Sequence, residues 1–161
     1  PAAMVDLNAL GATPYDVAHL LKRFLAELPE PIFTFEGYRR IMALKTMPGA
    51  PANQQEAQSE EYQRKIQVFL ESVKSIVYGL PTSHKELCRV VFAYLSVVLE
   101  AQSKTIMNAT KLAIVFAPVL LRSKEASCGS AGGCGMMDII QVNKANEIVR
   151  LILLNHFDVF C

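Results

Sequence analysis

The stretch at residues 13–31, TPYDVAHLLKRFLAELPEP, leaves the chain few conformational choices. Thr13 is a helix N-cap residue. Pro14 suits the first turn, where an N–H would have no partner, and Asp16 places a negative charge near the positive end of the helix. Val17, Leu20, Leu21, Phe24, Leu25 and Leu28 then recur at helical spacing, which predicts one buried stripe. His19, Lys22, Arg23 and Ala26 fall on the opposite, exposed face. Pro29 and Pro31 end the helix, because proline lacks an N–H and pushes the residue before it into extended backbone.

The rest of the chain reads as helices and loops. A second helix is expected over residues 34 to about 45, with Phe35, Tyr38, Ile41 and Met42 inward. Residues 46–58 are small and polar, with Pro48, Gly49 and Pro51, and read as an exposed loop. Ser59 caps a long helix whose stripe is Tyr62, Ile66, Phe69, Leu70, Val73, Ile76 and Val77, and Gly79 and Pro81 end it. Ser83 is the expected cap of the next helix, with Leu87, Val90, Val91, Tyr94, Leu95, Val98 and Leu99 inward. The short turn between these two predicts an antiparallel pair. Asn108 caps a helix through Phe116, which buries Leu112, Val115 and Phe116, and Pro118 ends or kinks it. Residues 123–135 form a glycine-rich loop. The last helix runs from about residue 137 to 156, burying Ile139, Val142, Ala145, Ile148, Val149 and Ile152. With no strand pattern, repeat or heptad run, residues 1–161 are expected to form a single all-α helical-bundle domain.

Composition narrows the function. The chain has 161 residues, 52% of them hydrophobic, enough for one buried core. A net charge of +1 gives no general attraction to nucleic acid, so any electrostatic role belongs to a local patch. No apolar run is long enough to span a membrane and no signal segment opens the chain. Cys88, Cys128, Cys134 and Cys161 lack the spacing of a metal site, and unpaired thiols fit a reducing, cytoplasmic setting. His19, His84 and His156 are scattered, and Asp16, Glu27, Glu30, Glu60 and Glu61 sit near helix ends. No cofactor and no catalytic centre of its own are therefore expected.

LLKRFLAELPEP at residues 20–31 resembles the signature of the Rho GTPase-activating protein (RhoGAP) domain, L-L-K-x-F-L-R-E-L-P-E-P, with Ala26 where the family has arginine. LAIVFAPVLLR at residues 112–122 resembles the family's N-L-A-x-V-F-G-P-x-L-L, with Lys111 for the asparagine and Ala117 for the glycine. Helix order and the closing NHFDVF fit as well, so the resemblance covers nearly the whole chain. It implies an all-α bundle of the RhoGAP type and a Rho-family small GTPase (Rho, Rac or Cdc type) as partner. It also implies an arginine finger that lends positive charge to phosphoryl transfer, a contribution of about 10³ to 10⁵ in rate. The family's finger motif, close to G-I-F-R-x-S-G, does not occur in this sequence, so the chain is expected to be incomplete at its amino end.

Residue by residue, the resemblance makes Lys22 the GTPase-facing lysine, with Arg23 beside it. It makes Ala26 the position that helps hold the finger loop, Lys111 the position that contacts the GTPase near its switch region, and Pro118 a neighbour of the partner groove. The asparagine of the family's N-x-M falls on Thr105, while Met107 is kept. Because Ala26 has no donor and Lys111 no acceptor, the expectation is a domain that binds Rho-family GTPases with activation absent or impaired. Two other readings stand beside it: an authentic activating domain whose finger lies in a further segment, and a scaffold for a partner that is not a GTPase. Each residue also has a plainer role, Lys22, Arg23 and Lys111 as solvated surface, Asn108 as a cap and Pro118 as a terminator. A domain without its first helices exposes apolar surface, which favours self-association, exchange of elements between copies, or a repacked amino end.

Overall fold

The computed structural model describes residues 9–11, 13–49, 51, 53–101, 107–124 and 139–160. Among them are eight helices and no strand: α1 (Pro14–Glu27), α2 (Phe35–Ala43), α3 (Gln54–Ala57), α4 (Glu60–Tyr78), α5 (Thr82–Glu100), α6 (Ala109–Leu120), α7 (Ile139–Leu154) and α8 (His156–Phe160). The all-α expectation holds.

Most helix starts follow the capping residues of the sequence. Thr13 and Asp16 form a complete capping box, in which Asp16 Oδ2 accepts from the Thr13 N–H at 2.8 Å and the Thr13 hydroxyl oxygen accepts from the Asp16 N–H at 3.3 Å. The Thr13 side chain and backbone hold the Asp16 carboxyl below its ordinary range. Ser59 Oγ accepts from the Tyr62 N–H at 3.2 Å, and Asn108 Oδ1 from the Lys111 N–H at 2.9 Å. Thr34 caps α2 from a left-handed backbone, φ 60°, which is strained for a β-branched residue. Its hydroxyl accepts from the Gly37 N–H at 3.0 Å. A Cβ at Gly37 would stand 3.3 Å from both Leu80 Cδ2 and Thr34 Oγ1, so glycine lets α2 sit close to the end of α4.

The core is built around α6 and α7, the most extensively packed pair. α1 rests on α6, α2 on α4 and α7, and α5 on α6 and α7. Leu25, Phe33, Ile41, Phe69, Phe92, Leu112, Leu120 and Ile148 are completely buried. Phe92 meets Phe33 edge-on at 5.9 Å and stacks on Phe160 at 5.1 Å, tying α5 to the loop after α1 and to α8.

Several details differ from the sequence reading. The expected loop at residues 46–58 holds the single-turn α3, because Asn53 Oδ1 caps the Glu56 N–H at 2.8 Å. α5 begins after Pro81 with no side-chain cap, which leaves Ser83 inside its first turn. Its buried face is Cys88, Val91, Phe92, Leu95 and Ser96, while Val90 and Tyr94 are 58% and 41% exposed. α5 is apolar around most of its circumference, so periodicity alone leaves its rotation undetermined. α4 and α5 are not closely packed on each other; α8 packs against both. α7 stops at Leu154, where Asn155 Nδ2 donates to the Leu151 carbonyl at 2.9 Å, and Ile139 is exposed, not buried.

Two outcomes check this account. Phe92→Ala is expected to destabilise by about 3–5 kcal/mol in urea unfolding. Val90→Ala is expected to change stability by less than about 0.5 kcal/mol, and the reverse order would place the wrong face of α5 in the core. The second concerns Asp16, whose carboxyl titrates lower in the folded chain than in the unfolded one. Its contribution is therefore present above the unfolded carboxylate range, about pH 4, and lost as pH falls through the folded value. The stability advantage of wild type over Asp16→Asn should be level near neutrality and shrink on acidification; an advantage that grows in acid contradicts the capping geometry.

Candidate functional site

The two motif segments meet at one corner. α1 ends at Leu28, extended at φ −58° and ψ 133° ahead of Pro29. A helix that closes here commonly receives an N–H from the second residue beyond its last turn onto the carbonyl of Ala26. That residue is Pro29, which has no N–H. Arg122, just past the end of α6, supplies the missing donors: Nη1 donates to the Ala26 carbonyl and Nη2 to the Leu28 carbonyl at 2.5 Å. α1 carries no basic residue in its own last turn, so this guanidinium also places a positive charge at its negative end. Arg122 Nε is buried without a partner.

The remainder of LPEP is held as firmly. Glu30 Oε1 accepts from the Phe35 N–H at 3.1 Å, so the glutamate satisfies a first-turn donor of α2 that Thr34 does not reach. The Ile32 carbonyl accepts from the Cys88 thiol at 3.4 Å and lies 3.2 Å from His84 Nδ1, which fastens the loop to α5. Burial pushes the Cys88 thiol well above its ordinary range, consistent with its place as a core residue. At the other end of α2, Lys144 Nζ donates to the carbonyls of Met42 at 2.7 Å and Leu44 at 3.3 Å.

Lys22 is half-buried, not exposed as the stripe pattern predicts. Arg23 is exposed, and its Nε donates to Glu27 Oε1 at 2.7 Å. Ala26 is exposed, with its carbonyl held by Arg122. On the same helix Leu20 and Phe24 are 57% and 51% exposed, against the expectation that they are buried, because α1 packs chiefly on α6 through the side that carries Leu21, Leu25 and Leu28. Lys111 is exposed at the start of α6. Pro118 is exposed within α6 and does not end it: the helix continues to Leu120, since Phe116, Ala117 and Leu120 stay buried and the Leu121 N–H bonds the Ala117 carbonyl at 2.9 Å.

These five residues do not converge on one point. Arg122 grips the end of α1 from the end of α6, so the two C-terminal ends are adjacent. At 1.5 Å of rise per residue, Lys22 and Pro118 lie about 6 Å along their helices from this corner, and Lys111 about 16 Å. Arg122 itself, which organises the corner, is absent from the sequence-derived candidates; the only signal for it is the pairing of a proline-stopped helix with an arginine at the end of the second motif. Among the described residues no group of three His, Cys, Asp or Glu side chains could hold a metal ion, and no described helix is long and apolar enough to cross a membrane. Thr105, Cys128, Cys134 and Cys161 lie outside the described residues, and Met107 packs half-buried against the core.

The fold has close counterparts. The chain superimposes on human Rho GTPase activating protein 15 with a TM-score of 0.72 and 25% identity, over 99% of this chain and 64% of that one. It is 30% identical to Rho-type GTPase-activating protein 2 of Saccharomyces cerevisiae over 96% of its length, and 34% identical to Rho GTPase-activating protein gacY of Dictyostelium discoideum over 88%. The chain spans 15% and 16% of the lengths of these two relatives. The expectation of a GTPase-activator-like or interaction domain with no catalytic centre of its own is overturned by these relatives, which are named as GTPase-activating proteins. At position 26 it is the backbone carbonyl, not the side chain, that accepts from Arg122. Since the RhoGAP domain description matches residues 2–125, well over half of its length, this chain belongs to the RhoGAP domain family.

Proposed function

We propose that residues 1–161 act as one GTPase-activating domain in Rho-type signalling, engaging a Rho-family small GTPase of Rho, Rac or Cdc type in the cytoplasm. The docking surface is the side of α1 with half-buried Lys22 and exposed Arg23, the turn at Ala26, and the outer ridge of α6 with Lys111 and Pro118. The observation that carries this reading is the Arg122 bridge. It joins two segments 96 residues apart in sequence, and these are the two whose motifs resemble the family's. In this scheme the nucleotide, magnesium and attacking water belong to the GTPase, and the domain contributes positioning and charge to the phosphoryl-transfer transition state.

Single-turnover GTP hydrolysis by Rho-, Rac- and Cdc-type GTPases, with and without the chain, tests the proposal. Acceleration of at least one GTPase is expected. Lys22→Glu reverses a charge on the docking face and should weaken the half-saturating concentration about tenfold, equivalent to about 1.4 kcal/mol of affinity. No acceleration of any of the three, or a Lys22→Glu variant that folds and performs as wild type, overturns this reading.

A further inference from the structure

We propose that Arg122 is a positioning residue for the GTPase-facing end of α1, a role that rests on the function proposed above. It replaces the backbone donor that Pro29 lacks. It thereby fixes the direction in which the chain leaves α1, and with it the angle at which Lys22 and Arg23 are presented relative to α6.

Three observations carry this. The first is the absence of another donor at the end of α1: Pro29 has no N–H, and the last turn of the helix holds no basic side chain. The second is the shape of the bond. Two nitrogens of one planar guanidinium reach two carbonyls, Ala26 and Leu28, that flank the last residue of the helix. A planar fork fixes an orientation as well as a distance, whereas the single ammonium of lysine supplies only charge. The third is the span of the bond, which ties the end of α1 to a residue 94 to 96 positions away, just past α6.

The location links this to function. Arg122 lies two residues past the end of α6, the helix that carries Lys111 and Pro118, and it grips the helix that carries Lys22 and Arg23. Beside the apolar packing of α1 on α6, this one side chain therefore ties the two halves of the docking surface together. Ala26 cannot share the task, because its methyl group offers no hydrogen bond.

The test is a double-mutant cycle read in two ways. Arg122→Ala, Arg122→Lys and Lys22→Ala, and the two Arg122 variants combined with Lys22→Ala, are titrated against the GTPase that wild type accelerates. Both the half-saturating concentration and the maximal hydrolysis rate are measured. Amide hydrogen exchange at residues 27, 28 and 30 of the free chain is followed in parallel. Arg122→Ala is expected to raise the half-saturating concentration about tenfold with the maximal rate within about twofold of wild type, and to speed exchange at those amides. Arg122→Lys should fall between, because it keeps the charge and loses the fork. In the Lys22→Ala background the effect of Arg122→Ala should shrink to about twofold or less, since the face it orients has lost its contact. Equal effects in both backgrounds mean general destabilisation and overturn the proposal, as does unchanged exchange at residues 27, 28 and 30. If Arg122→Ala fails to fold, the Arg122→Lys arm decides by the same criteria. A wild-type chain that engages no GTPase overturns the positioning role together with the proposed function. Faster exchange in Arg122→Ala would then still establish the grip itself, so the two failures are told apart.

Discussion

A helix that stops at a proline leaves carbonyls unanswered, and the end of α1 is where this chain meets that constraint. Pro29 removes the N–H that would return to Ala26, and the last turn of α1, which holds no basic residue, offers no donor side chain in its place. The donors come from Arg122, on the far side of the sequence. A local rule of backbone chemistry therefore becomes a tertiary bond, and the two motif-bearing segments of the chain are held together by it.

The same device recurs at α2. Its C-terminal carbonyls at Met42 and Leu44 are met by Lys144 from α7, while Glu30 and Thr34 satisfy its first-turn donors. The amino-terminal helices are thus closed by cations that the carboxyl-terminal helices supply. Since α6 and α7 also form the most extensively packed pair, the second half of the chain acts as the frame on which α1 and α2 are oriented. The loop between α1 and α2 is pinned from a third side, where Ile32 bonds α5 and Phe33 packs on Phe92. A loop fixed at this many points is suited to holding a binding surface in one geometry, which lowers the entropic cost of docking.

Local signals were the legible part of the sequence. Thr13, Ser59 and Asn108 each cap the helix expected of them, because an N-cap bond spans three residues and needs no distant partner. The buried stripe of α4 is also as expected, since polar residues bound it on both sides. α5 shows the opposite case. Val90, Val91, Phe92, Tyr94 and Leu95 satisfy more than one helical face, and the choice of Phe92 over Val90 was made by Phe33 and Phe160. Leu20 and Phe24 fit the apolar stripe of α1 yet stand exposed, because a stripe records which residues prefer burial and not which neighbours are present to bury them.

For the site the division is sharper. Sequence by itself determined the identity of the family, the helix that bears Lys22 and Arg23, and the proline exit that ends it, since each depends on residues a few positions apart. Only the tertiary structure decided that Lys22 is half-buried, that Pro118 is carried inside α6 without ending it, and that Arg122 completes the end of α1. Those outcomes depend on contacts between segments about a hundred residues apart, and the short-range periodicity of a helix carries no information on which distant side chain will arrive at its end.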